Sequence, residues 1–294
     1  MFPLLARIIR DRLSALVLLG ALALTGCSAL KVGYEQSPAL LYWWLDSHVD
    51  FTDAQTPRAR QALDQLQTWH RSQELPVYVA LLGRMVSLAE GPVSEAQACQ
   101  ISQQVQTHMG RLAGEAARLA APLAQTLDAR QRQHLGAYWA RKNAKWDQEW
   151  LQGPHEQRLQ RRVDKAAERY ADFYGALTPA QTALVRRHVQ QSVWTPEWGQ
   201  AQAQRRQRLL LDALTEIEQE ALNTEQAEVR LRAVWGRMLS PASPADRERL
   251  QAWIDQGCQH LAEMHNSTSA EQRQRAARRL RAYEKDLREL AGRS

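Results

Sequence analysis

The sequence predicts an all-α fold, a multi-helix bundle of about ten helices. Three observations carry this. Gln, Arg, Ala, Leu and Glu dominate the 294 residues while β-branched residues are sparse, a composition that favours helix almost throughout. No stretch alternates Val, Ile, Thr and aromatic side chains with period two, so no strand is predicted. One device also recurs: a capping residue followed three positions later by Gln. The first side chain accepts from an orphan backbone N–H, and the Gln reaches back to the N–H of the cap.

The chain opens with a segment that is not part of this fold. Arg7, Arg10 and Arg12, offset by Asp11, precede an apolar run from Leu13 to Leu24. A charged start, a short apolar core and small residues before a cleavage point make an export signal. The run is about 12 residues, short of the roughly 20 needed to span a bilayer. Leu24-Thr25-Gly26-Cys27 resembles the bacterial lipobox. The resemblance implies cleavage before Cys27, diacylglycerol on its thiol, and a mature chain held on a membrane by lipid. Ser28, rather than Asp, follows Cys27. By likeness to lipoprotein sorting this favours the outer membrane, with the body facing the periplasm. The expected organisation is a signal peptide at 1–26, a lipid-anchored linker at 27–37, a first helical unit at 38–153 and a second at 154–294.

Loss of the signal lowers the formal charge of +6 by two, to about +4. So mild a charge permits contact with anionic lipid or peptide without demanding it. Export argues against a nucleic-acid partner. Cys99 and Cys258 remain, and an oxidising compartment allows either a disulfide between them or two separate thiols packed as small apolar groups.

Helix starts are predicted at Thr52-Asp53-Ala54-Gln55, Ser94-Glu95-Ala96-Gln97, Asp128-Ala129-Arg130-Gln131, Thr178-Pro179-Ala180-Gln181, Asn223-Thr224-Glu225-Gln226 and Ser269-Ala270-Glu271-Gln272. At the first, Pro57 fits only if the helix restarts at Thr56. Apolar stripes at helical spacing follow, among them Ile101/Val105/Met109/Leu112, Leu159/Val163/Ala167/Tyr170 and Leu280/Tyr283/Leu287/Leu290. Gly91-Pro92, Gly153-Pro154, Thr195-Pro196 and Pro241 to Pro244 interrupt the pattern. Similar offsets of cap, Trp and Pro in the two halves suggest two related helical units, with a division near Gly153 or Gly175.

Two resemblances follow from these residues. Tyr34 to Gln55, with Leu40-Leu41-Tyr42-Trp43-Trp44-Leu45-Asp46, then His70 and Leu75-Pro76-x-Tyr78, is similar to an uncharacterised, domain-of-unknown-function family of Gram-negative helical lipoproteins. Phe51-Thr52-Asp53-Ala54-Gln55 and Leu177-Thr178-Pro179-Ala180-Gln181 resemble the LTxxQ motif of the Spy/CpxP group, with Phe51 in place of Leu. That likeness implies a helical periplasmic protein acting as an ATP-independent chaperone or stress adaptor.

Catalytic constellations are absent from the sequence: no Gly-x-Ser-x-Gly elbow, no phosphate-cradling glycine loop and no Cys-x-x-Cys. The eight histidines are scattered, and His260 and His265 fall on different faces of one helix, so neither metal nor cofactor is expected. The simplest reading of the ten tryptophans places them in the core of a bundle, with indole N–H groups bonded at its edge. The alternative lines a concave, client-binding surface, for which Trp43, Trp44, Trp194 and Trp198 are the candidates. Trp43 and Trp44 point in different directions, so one is expected to face the body and the other to meet a lipid surface near the anchor. The six arginines from Arg273 to Arg288 form either a solvated face paired with Glu284, Asp286 and Glu289 or an anion-binding one. Together these point to a non-enzymatic envelope factor that binds other envelope proteins or unfolded polypeptides. The alternative is a structural accessory subunit of an envelope assembly.

Overall fold

A computed structural model describes residues 29–241 and 243–292. The signal segment and Cys27 lie outside the described residues. Every regular element described is helical. In chain order these are α1 (Ala29–Glu35), α2 (Ser37–Val49), α3 (Thr56–Trp69), α4 (Leu75–Ala89), α5 (Glu95–Ala124) and α6 (Ala129–Trp146). There follow α7 (His155–Tyr174), α8 (Pro179–Gln191), α9 (Pro196–Gln219), α10 (Thr224–Leu239), α11 (Pro244–Asn266) and α12 (Ala270–Ala291). The fold is all-α, as predicted. None of these helices is long and apolar enough to cross a membrane.

Five of the six predicted capping boxes form in full, at Ser94, Asp128, Thr178, Asn223 and Ser269. The sixth differs. Gln55 Oε1 accepts from the Thr52 N–H at 3.0 Å, but the Gln55 N–H donates to the Thr52 carbonyl rather than to its hydroxyl. Residues 52–55 therefore make a turn, and α3 starts at Thr56 with Pro57 in its first turn. The reason is that a helix begun at Asp53 would carry Pro57 in its interior, with a missing N–H and a ring clash.

Leu75-Pro76 does not end a helix. Between α3 and α4 the chain passes through a π-turn, His70–Glu74, in which the Leu75 N–H reaches back five residues to His70 O. Pro76 has no N–H to give, and the wider turn is one way to carry a helix past such a gap. A second π-turn, Asp147–Leu151, extends α6 until Gly153, at φ +92°, turns the chain into α7.

The core is a series of small clusters. Ala121, Ala124, Leu127, Leu135, Leu214, Ile217 and Ala227 join α5, α6, α9 and α10. Leu159, Val163, Leu184, Val185 and Met264 join α7, α8 and α11. Val86 and Ala89 of α4 meet Ala277 and Leu280 of α12. Alanines at these contacts let helix axes approach closely, so burial is obtained from many thin seams. No tryptophan among the described residues is fully buried, contrary to the simplest reading of the sequence. Trp139 packs against the first of these clusters while remaining partly exposed.

Cys99 on α5 and Cys258 on α11 are joined by a disulfide, 159 residues apart in sequence. The C-terminal arginines brace α12 locally and to other helices, while Asp286 and Glu289, expected to pair with them, instead pair with Lys31. Arg281 pairs with Glu90, Arg288 with Glu284, and Arg279 donates to Asp172 O.

Candidate functional site

Two features of the fold bear on function: paired glutamines that join helix starts, and a tryptophan-lined cleft along α7.

The glutamines of the capping motifs do more than cap. Gln55 Nε2 donates to Gln131 Oε1 at 3.1 Å, and Gln131 Nε2 donates to Gln55 Oε1 at 2.7 Å. Each amide also donates to a carbonyl two residues before the partner's cap: Gln55 to Thr126 O, and Gln131 to Asp50 O. The same pattern recurs between Gln181 and Gln272, which exchange bonds of 2.8 and 3.1 Å and donate to Ser267 O and Ala176 O. Two Thr/Ser/Asp-x-x-Gln segments thus clasp head to head, twice, each clasp tying together chain segments 76 or 91 residues apart. Gln131 and Gln181 are 1% and 3% exposed, so their full complement of bonds offsets the cost of burying an amide. Gln97 and Gln226 cap their helices without such a partner.

The cleft is built around α7. Arg162, Lys165, Ala166, Arg169 and Tyr170 repeat at three- and four-residue intervals and so present one face. Opposite them stand Trp146 and Trp150 from the end of α6 and its π-turn, Val185, His188 and Val189 from α8, Trp194 from the α8–α9 connection, and Trp253, Gly257 and His260 from α11. They enclose about 620 Å³. Three cations and no carboxylate lie on the lining. Lys165 is held by Glu168 at 2.8 Å, whereas Arg169 makes no ion pair among the described residues. Arg162 is half-buried and donates to Val189 O in the last turn of α8 and to Trp194 O beyond it, satisfying carbonyls left open at the helix end. Burial pushes its pKa down.

Two histidines close one wall. The rings of His188 and His260 stack face to face with centroids 4.0 Å apart. His188 Nε2–H donates to Glu263 at 2.7 Å, a bond that holds the Glu263 carboxyl below its ordinary range. Burial, helped by the neighbouring His188, lowers the His260 pKa to about 4. His188 Nδ1 and Trp146 Nε1 are buried without a hydrogen-bond partner among the described residues. His265, on the other face of α11 as its spacing requires, donates through Nε2 to Gly91 O at 2.8 Å and accepts from Tyr174.

Across α7 the cleft adjoins an apolar groove of about 480 Å³ that shares Ala166, Arg169 and Tyr170 with it. Met85 and Leu88 of α4, Ile101 of α5, Phe173 of α7, and Leu261 of α11 line this second part. The two cavities thus adjoin at these three residues, one apolar and the other indole-lined and cationic.

Of the tryptophans singled out from sequence, Trp194 lines the cleft. Its ring crosses α9 where an added Cβ at Gly199 would come within 2.8 Å, so glycine is what lets it lie there. Trp198 lies in a smaller neighbouring cavity of about 100 Å³, donating to Asp246 and meeting Trp253 edge-on. Trp43 and Trp44 stand away from the cleft, 64% and 56% exposed on α2, so neither faces the body as one was expected to; Tyr42 and His48 take the buried side of that helix. Trp146, Trp150 and Trp253 were not distinguished by sequence. The first two share a face at i, i+4, a signal that was present, but their meeting with Trp253 depends on tertiary packing.

Among the described residues, no group of three or more His, Cys, Asp or Glu side chains is arranged to hold a metal ion. In comparison with known proteins, the family described as "Family of unknown function (DUF6279)" matches residues 47–237. No curated protein and no solved structure gives a significant match.

Proposed function

We propose that this chain, which belongs to the DUF6279 family, is a non-catalytic, lipid-anchored binding protein of the outer membrane's periplasmic face. Its cleft takes extended segments of other polypeptides. One observation carries the reading: an indole-lined, cationic cleft and an apolar groove adjoin at the shared residues Ala166, Arg169 and Tyr170. An extended chain laid across both buries apolar side chains against Met85, Leu88, Ile101 and Phe173. Acidic side chains or a terminal carboxylate reach Arg169, and indole faces accept either kind of neighbour. Rigid aromatic contacts tolerate varied sequences, as a chaperone-like binder requires. The lipobox at Leu24–Cys27 supports the anchor, and the LTxxQ-like caps support the chaperone comparison.

The test is suppression of aggregation of a chemically denatured client by the purified protein at equimolar ratio, beside Gly257→Phe. A Cβ at Gly257 meets nothing within 4 Å, so the fold accepts the new side chain while the cleft is filled. Wild type is expected to slow aggregation and the variant to lose the effect with its circular dichroism unchanged. No effect of wild type, or equal effect of both, overturns the reading.

A further inference from the structure

Residues 29–45 carry only two charged side chains: Lys31 is buried and reaches Glu289 at 2.6 Å and Asp286 at 3.6 Å, and the partly exposed Glu35 pairs with Arg71 at 2.7 Å. Many of the large apolar side chains face outward. Leu30, Val32, Leu40, Leu41, Trp43 and Trp44 are 38–64% exposed, half of all the large apolar side chains exposed among the described residues. On α2, positions 40, 41, 43 and 44 span one broad side of the helix, opposite the buried Tyr42. On the Tyr42 side, the Arg60 guanidinium of α3 lies 3.9 Å over the Tyr42 ring.

We propose that α1 and α2 lie on a lipid surface, with Trp43, Trp44 and Leu40 in the boundary between headgroups and acyl chains. Exposed apolar patches of this density on a chain rich in charge mark an interaction face. The occupant is argued from position and residue type. Leu30 follows Cys27, the proposed lipidation site, by only three residues of sequence, a reach of about 10 Å at full extension. Paired tryptophans among aliphatic side chains match the interfacial region, where indoles meet headgroups and aliphatic groups meet acyl chains. A face so seated fixes the orientation of the body at the membrane, which a flexible lipid tether alone does not do. The inference rests on the lipid-anchor reading only for what brings the face to the bilayer.

The experiment uses the full chain purified from membranes and reconstituted into phosphatidylethanolamine/phosphatidylglycerol vesicles, some with acyl chains brominated to quench indole emission. Intact mass is recorded on the same sample. Wild type is expected to show a blue-shifted emission component quenched by brominated lipid, and Trp43→Phe/Trp44→Phe to lack that component with unchanged circular dichroism. Acylated mass with no quenching leaves the anchor standing and overturns the face. An unacylated chain that is still quenched by added vesicles keeps the face and overturns the anchor. A dimer that is abolished by Leu40→Glu and shields the indoles from brominated lipid assigns the surface to a second copy and overturns the proposal.

Discussion

Gln131→Leu removes four hydrogen bonds at once from a side chain that is 1% exposed. Two are exchanged with Gln55, one is accepted from the Asp128 N–H and one is donated to Asp50 O. At about 1 kcal/mol net for each, the loss is about 4 kcal/mol. Leu returns about 1 kcal/mol through burial of its apolar surface, which leaves about 3 kcal/mol. Gln226 supplies the control. It accepts from the Asn223 N–H at 3.0 Å and has no glutamine partner, so Gln226→Leu costs about 1 kcal/mol, the worth of a cap contact. The difference of about 2 kcal/mol between the two variants is therefore the worth of the clasp. Urea unfolding followed by circular dichroism measures both. The double variant Gln55→Leu/Gln131→Leu adds a second check, because the two bonds between the amides are lost once rather than twice. Its cost should fall short of the sum of the singles by about 2 kcal/mol. Equal losses for Gln131→Leu and Gln226→Leu, or strict additivity in the double, refute the claim that paired glutamines join the helix starts.

Three further outcomes are expected. Cys99→Ser/Cys258→Ser opens a loop spanning 159 residues and should lower stability by about 3–5 kcal/mol in urea unfolding, with no change in helix content under native conditions. His260 is neutral in the fold down to about pH 4, below its ordinary value of 6.5, so the unfolded chain takes up a proton before the folded one does. Stability should therefore fall as pH drops from 6.5 to 4, by about 1–2 kcal/mol after allowing for partial solvent exposure, and His260→Gln should flatten that part of the profile. Gly199→Ala puts a Cβ against the Trp194 ring and should shift the tryptophan emission, leaving helix content intact.

Much of this architecture is local, and local features are what a sequence displays. Ser94, Asp128, Thr178, Asn223 and Ser269 announce their helices because a cap and its Gln lie three residues apart and need no tertiary partner. Pro57 similarly signals that α3 starts at Thr56. Pro76 is the contrary case. Sequence cannot distinguish a helix stop from a π-turn that carries the helix past the gap, because the choice rests on the packing of Glu74 and Leu75, both nearly fully buried. The clasps were half visible. Every glutamine in them was recognisable as a capping residue, yet nothing local says that Gln55 meets Gln131 while Gln226 meets no glutamine. The cleft was less visible still, since Trp150, Trp194 and Trp253 come from three separate segments and converge only once α8 and α11 have packed on α7.

The most direct test of the binding account places a photo-crosslinking amino acid at Trp150 and at Trp253 in intact cells. The control is Val229 on α10, which is 62% exposed and lies off the cleft. After irradiation, the account predicts adducts with polypeptides at both cleft positions and none at Val229. Absence of adducts at Trp150 and Trp253, or an equal yield at Val229, would contradict it.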